Sequence, residues 1–223
     1  MKLSGRLLVA SPQLLDPNFH RTVVLVLDHN DDGAFGVVLN RLLPVEVDAV
    51  LPGWQDVVSR PDGLFQGGPV GLDGAIGVAI ASAPPLGPAG RSTDPDLALG
   101  SEPDDERDHG SLVDPARLRG ASSDVPDDHL VDRFTGAFGL VDLDADPTTV
   151  VGRFSGLRIF AGHAGWGGGQ LEEEIDEGAW YVVPSEPDDV FTADPETLWT
   201  RVLHRQGGDL AMLAHYPPDL RLN

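Results

Sequence analysis

Three stretches of this 223-residue chain hold residue types that do chemistry in other proteins. Asp28-His29-Asn30-Asp31-Asp32-Gly33 puts oxygen-bearing side chains at alternate positions ahead of a glycine, as in the first half of an EF-hand calcium loop. The bidentate glutamate that closes such a loop falls on Leu39, and the flanks are strand-like, so the stretch reads as a hairpin. Ala164-Gly165-Trp166-Gly167-Gly168-Gly169-Gln170 is a glycine-rich loop opening a helix, a place where backbone amides can cradle a phosphate. It lacks the Lys, Ser or Thr of a P-loop, and Glu172, Glu173 and Glu174 in the first helical turn would repel an anion. A tight turn with Trp166 packed near backbone is the favoured reading. Gln66-Gly67-Gly68-Pro69-Val70-Gly71 is a second glycine turn, in which Gly68 permits close backbone approach.

The seven histidines are scattered, and none forms H-x-x-x-H or H-E-x-x-H. Without cysteine there is no thiolate nucleophile, disulfide or Cys-ligated metal, and no cofactor or metal site is expected. Spacing leaves a Ser–His–Asp triad open, because triads assemble in space, but no G-x-S-x-G elbow is present. One constellation remains for small-ligand chemistry. Arg21 would hold an anion bidentately. Asn40, Trp166 and Gln170 would orient the ligand, Gly68 would allow its approach, and His163 is the histidine best placed for a cleft. All six lie in or beside loops at strand ends.

The elements that must carry these residues are strands mixed with helices. Leu7–Ala10, Thr22–Leu27, Ala34–Leu39 and Ala75–Ala81 read as strands, the second central because it is β-branched and continuous. Asp32-Gly33 marks a hairpin between the second and third. Val45–Leu51 is expected as a short helix started by Pro44. Phe138–Leu143, Leu157–Ala161 and Ala179–Val183 are further strands, and Asp146-Pro147 opens a helix. Gln170–Glu177 and Pro195–Gln206 are helical, Leu198, Val202 and Leu203 sharing a face. Gly207-Gly208 then breaks the helix before Leu210–Ala214 resumes it. That pair superficially suggests a helix-turn-helix, but Asp209-Leu210-Ala211-Met212-Leu213 carries nothing to read bases. Without regular βαβ alternation the class is α+β.

The length fits one domain, with about 70% of the unfolded surface buried on folding. Acidic residues number 36 against 15 basic, a net charge of −21. Such a chain repels phosphate backbones and anionic lipid, arguing against direct nucleic-acid and membrane binding. Residues 88–130, rich in Pro, Gly, Asp and Ser, read as a solvated acidic insertion within a single domain spanning 1–223. There is no signal peptide and no membrane-length apolar run, so a cytoplasmic location is expected.

Ordered segments then point to a family. Arg6-Leu7-Leu8-Val9-Ala10-Ser11-Pro12, Leu15-Asp16-Pro17-Asn18-Phe19-His20-Arg21-Thr22-Val23 and Gly33-Ala34-Phe35-Gly36-Val37-Val38-Leu39-Asn40-Arg41 come first. Gly67-Gly68-Pro69-Val70, Ala161-Gly162-His163-Ala164-Gly165-Trp166, Gly169-Gln170-Leu171-Glu172 and Trp180 follow. Together they resemble the AlgH/YqgE family over nearly the whole chain outside the acidic middle. The resemblance implies a bifurcated mixed sheet with a small closed barrel, surrounded by helices. It implies no enzyme activity and no catalytic residues. Members are described as transcriptional regulators, and gene neighbourhood implies a protein partner, a Holliday-junction-resolvase-like nuclease. His163 stands where the family more often has Tyr, and the segment after Val70 is simplified to Gly and Ala. A non-enzymatic regulatory or protein-interaction role is therefore expected first. The alternative is a small-ligand-binding protein or enzyme whose cleft the glycine-rich loops form.

Overall fold

Val23 to Leu27 has no polar residue, so in water it can lie only inside a sheet covered on both faces. The computed structural model, which describes residues 2–81, 131–135 and 138–217, places it there. Strand β2 (Val23–Asn30) sits between β1 (Arg6–Ala10) and β3 (Gly33–Val38), antiparallel to both. A tight turn over Asp31 and Asp32 joins β2 to β3, as the Asp-Gly signal predicts. Gly33 has φ of 144°, and a Cβ there would lie 2.2 Å from the Trp166 carbonyl oxygen, so glycine is required.

The remaining strands are β4 (Leu42–Glu46), β5 (Gly63–Gln66), β6 (Val70–Ala81), β7 (Val131–Thr135), β8 (Phe138–Val141), β9 (Phe154–Gly167) and β10 (Trp180–Pro184). They form one mixed sheet in the order β10-β1-β2-β3-β9-β6-β8-β7, with β5 joined to β9 and β4 joined to β5. The pairing of β5 with β9 is parallel, and every other ladder described is antiparallel. The long strand β9 is the branch point. One edge pairs with β6, while the other serves β5 at Phe160–Ala161 and β3 at Ala164–Gly167.

Two expectations need correction. The sheet is not closed among the described residues, so the small closed barrel is absent there: β10 and β7 end the path and do not pair with each other. Splitting one edge of β9 between two neighbours fans the strands apart instead of curling them together. The helix expected over Val45–Leu51 is also replaced. Residues 42–46 pair with β5, and only Val47–Ala49 make a 3-10 turn. Sheet pairing outweighs a helix propensity that is weak for so short a β-branched segment. The acidic insertion expected at 88–130 lies outside the described residues.

Side-chain alternation along β1, β2 and β3 builds two cores. Leu7, Val9, Val23, Leu25 and Val37 face one way, under helix α4 (Leu198–Gln206). Leu198, Trp199, Val202 and Leu203 cover them, and the Trp199 indole N–H donates to the Ala10 carbonyl at 2.8 Å. Leu8, Val24, Val26, Ala34 and Val38 face the other way, packed with Trp166, Trp180 and Leu171 of helix α2 (Gln170–Asp176). Burying each such side chain stabilises by about 1.5–3 kcal/mol, so these two faces dominate the fold. A third cluster, around Trp54, Leu157 and Ile159, lies under the 47–58 segment. Helices α1 (Pro147–Val150), α3 (Pro187–Val190) and α5 (Gly208–Leu213) complete the elements used below. Asp146 caps α1, accepting from the Thr148 N–H at 2.8 Å, as its Asp-Pro signal predicts.

Arg158 is the most unusual core residue, 1% exposed. Its guanidinium donates to the carbonyls of Val190 (2.6 Å), Thr192 (2.9 Å) and Arg60 (3.1 Å) and lies 4.2 Å over the Phe65 ring. Burial pushes its pKa down to about 10. Desolvating an ion costs several kcal/mol. Hydrogen bonds to a charged group return about 1.5–3 kcal/mol each, enough in sum to hold the cation there.

Candidate functional site

Asn40 immediately follows the β3–Leu39 run, and its amide reaches back across β2. Its Nδ2 donates to the Arg21 carbonyl at 2.9 Å, and its Oδ1 accepts from the Val23 N–H at 3.0 Å. This clamp supports Arg21, the one non-glycine residue with positive φ (54°) among the described residues. A left-handed residue of this kind needs surroundings that over-determine it. The Arg21 guanidinium lies 4.0 Å over the Trp199 ring and donates to the Tyr216 carbonyl at 2.8 Å, tying the end of α5 to the sheet.

Trp166 belongs to the other core. It is 6% exposed, stacked with Phe19 at 6.1 Å and edge-on to Trp180 at 5.9 Å. The Trp166 and Trp180 indole N–H groups both donate to Oε2 of Glu174, at 2.9 and 2.8 Å. Gln170 donates to the other oxygen of Glu174 at 2.9 Å, and its own Oε1 accepts the Gly167 N–H at 3.1 Å. The glycine-rich segment is shorter as a loop than its composition suggests. Ala164–Gly167 continue β9 against β3, and only Gly168 and Gly169 turn into α2. A small residue in β3 permits the contact: a Cβ on Gly33 would sit 2.2 Å from the Trp166 carbonyl oxygen.

Gly68 packs on β9 itself, where a Cβ would lie 2.1 Å from the His163 carbonyl carbon. His163 is half-buried in β9, edge-on to Phe35 at 6.0 Å, and burial pushes its pKa below the ordinary value. The structure thus brings Gly68 beside His163, and Trp166 beside Gln170. Arg21 and Asn40 form another group. The side chains of Arg21 and Trp166 pack into cores on opposite faces of the sheet, so the six residues do not line one cleft.

Two of the concavities among the described residues lie away from these groups. A polar one of about 390 Å³ is lined by Lys2, His29, Asn30, Asp31, Gly169 and Glu172. His29 is 8% exposed. Its Nδ1 accepts the Leu3 N–H at 3.3 Å, so its Nε2 is the nitrogen that donates to Glu172, at 2.7 Å. The second is an apolar groove of about 340 Å³. It owes its shape to a bulge in β6: Val70 pairs with His163 and Ala75 with Ala161, so residues 71–74 stand opposite Gly162 alone. Leu72 lies against Gly162, where φ is 67° and a Cβ would sit 2.7 Å from the Val70 carbonyl oxygen and 3.0 Å from the Leu72 Cδ2. Val50 and Leu51 line the groove too, with Leu64 and Val141 of the third core cluster, and among the described residues its charged lining is Asp73 and Asp144. The sequence signal for this groove is Gly71-Leu72-Asp73-Gly74, a leucine set between glycines within a strand-like run.

The sequence profile of the AlgH-like family matches residues 7–122 and 131–211. The chain belongs to the AlgH-like family. Its AlgH-like relatives include the UPF0301 protein of Streptomyces avermitilis, 48% identical over 221 residues and spanning 99% of this chain and 95% of the relative. The UPF0301 protein of Thermobifida fusca is 42% identical over 224 residues, 100% of this chain and 96% of its own. Among solved structures, a Corynebacterium diphtheriae protein superposes with a TM-score of 0.73 at 30% identity, over 96% of this chain and 92% of that one. The AlgH protein of Pseudomonas aeruginosa superposes with a TM-score of 0.56 at 24% identity, over 97% and 95%. This last likeness concerns the AlgH-like fold alone. Among the described residues, no helix is long and apolar enough to cross a membrane.

Proposed function

We propose that this AlgH-like chain is a non-enzymatic regulatory protein that acts by binding another protein. One observation carries the reading: of the side chains singled out for chemistry, Arg21, Asn40, Trp166 and Gln170 are spent on internal bonds. Asn40 clamps Arg21 and Val23, and Gln170 and Glu174 tie both indoles to α2. A catalytic group needs a free donor or acceptor within reach of substrate, whereas these hold the scaffold together. The charge of −21 supports association with a basic protein surface, steered electrostatically and weakened by salt. The nuclease implied by family gene neighbourhood is the first partner to test, and the cytoplasm is the compartment in which to seek it. The test is capture from the source cytoplasm on the immobilised full chain. A partner retained at low salt and released near physiological ionic strength is expected. Recovery of nothing above an inert acidic control at low salt would overturn the reading.

A second reading, as a small-ligand-binding protein, is favoured by the polar cavity around His29 and Glu172. A thermal-shift screen against nucleotides and metabolites separates the two. A ligand present at a hundred times its Kd stabilises by about 2.7 kcal/mol. A shift abolished by His29→Gln would favour this second reading.

A further inference from the structure

We infer that the apolar groove between Leu72 and Val50 is the docking site for a segment of the partner protein in which leucine-like and basic residues alternate. This inference rests on the protein-interaction reading and names the surface and the partner chemistry. Val50 and Leu72 are each 56% exposed, and both line one concavity. Apolar side chains left in water within one concavity gain when a partner's apolar groups cover them. The groove's volume of about 340 Å³ lies at the lower end of the range for ligand sites. It is suited to a few apolar side chains rather than to a large cofactor.

The groove is also preformed. Leu72 sits on the β6 bulge against Gly162, and Leu64 and Val141, which also line the groove, are buried strand residues of the third core cluster. Binding therefore orders little of this chain, which keeps the entropic cost of docking low.

Charge selects the occupant. Among the described residues the charged ones lining the groove, Asp73 and Asp144, are both acidic, Asp144 is exposed, and the whole chain carries −21. A second copy of the chain would bring the same negative field and be repelled. An anionic lipid surface would be repelled for the same reason. A basic segment gains from steering and can place its apolar residues in the groove.

The probe is a short fluorescein-labelled peptide alternating leucine with lysine, titrated into the full chain and followed by anisotropy at low salt. Two companion peptides replace every leucine by serine or every lysine by glutamate. Saturable binding of the Leu–Lys peptide is expected, with each companion weaker by about tenfold or more, or about 1.4 kcal/mol. Leu72→Asp and Val50→Asp should each weaken it by a similar factor. Both substitutions add negative charge, so a loss reports the apolar contact and not general attraction. Equal binding of the Ser–Lys peptide would overturn the assignment, as would undiminished binding by both variants. The companion peptides need no substitution in the protein, so the test survives a variant that fails to fold. Binding of the chain to anionic vesicles in preference to the peptide would also overturn it. The general reading fails separately: a partner captured equally by parent, Leu72→Asp and Val50→Asp chains would remove the groove and leave the interaction role standing.

Discussion

Trp166 and Trp180 donate their indole hydrogens to the same oxygen, Oε2 of Glu174, at 2.9 and 2.8 Å. One carboxylate on α2 thereby fixes the end of β9 to the start of β10, two strands at different places in the sheet. An indole N–H buried without an acceptor costs about 1–3 kcal/mol.

Glu174→Ala removes the acceptor for both indoles and the partner of Gln170. The expected loss is about 2–4 kcal/mol in urea unfolding, with a changed tryptophan emission in the native state. Glu174→Gln keeps one carbonyl oxygen and should lose less. Equal stability of the alanine variant and the parent would show that water replaces Glu174 at no cost.

Asn40→Ala should cost about 1–3 kcal/mol, because the Val23 N–H loses its acceptor and the Arg21 carbonyl its donor. Arg21 has φ of 54° and depends on that clamp. Arg21→Gly in the Asn40→Ala background should therefore recover part of the loss, since glycine accepts a positive φ without penalty. A double-mutant cycle in denaturant measures the coupling. Strict additivity would mean that Asn40 and the Arg21 backbone act independently.

Arg158→Met should destabilise by about 2–4 kcal/mol, although it removes a buried charge. The methionine fills much of the space but leaves the Val190 and Thr192 carbonyls without their donors. Calorimetric melting of the variant checks this. A raised melting temperature would mean that the desolvation cost of the guanidinium exceeds its three bonds.

His163 introduces a pH dependence of known sign. Burial lowers its folded pKa below the ordinary 6.5, so the unfolded chain takes up the proton first as pH falls. The stability it permits is full above about 6.5 and is lost as pH drops below that value toward the folded pKa. The parent should therefore lose stability relative to His163→Gln as pH is lowered from about 8 to about 5. Urea midpoints of the two proteins across that range check it. A gap that moves the other way would mean that His163 is better solvated when charged in the folded state.

Local signals in the sequence carry only as far as local physics does. The apolar β-branched run Val23–Leu27 allowed nothing but a buried strand, and Asp32-Gly33 required a hairpin. Asp146 and Pro147 opened a helix, and the spacing of Leu198, Val202 and Leu203 made α4 cover a sheet. The ordered motifs were specific enough to identify the AlgH-like family. The strand, hairpin and helix signals each depend on neighbours a few residues apart. Which face of the sheet receives Arg21 and which receives Trp166 depended on strand register, and a one-residue change in register exchanges the two faces. The competition between helix and strand at Leu42–Glu46 was decided by β5, a partner about twenty residues away. The glycines of residues 162–169 looked like a loop because their composition does not reveal β3 lying against them. The groove between Leu72 and Val50 exists because residues 71–74 stand opposite Gly162 alone, and pairing of that kind is set only when the whole sheet assembles.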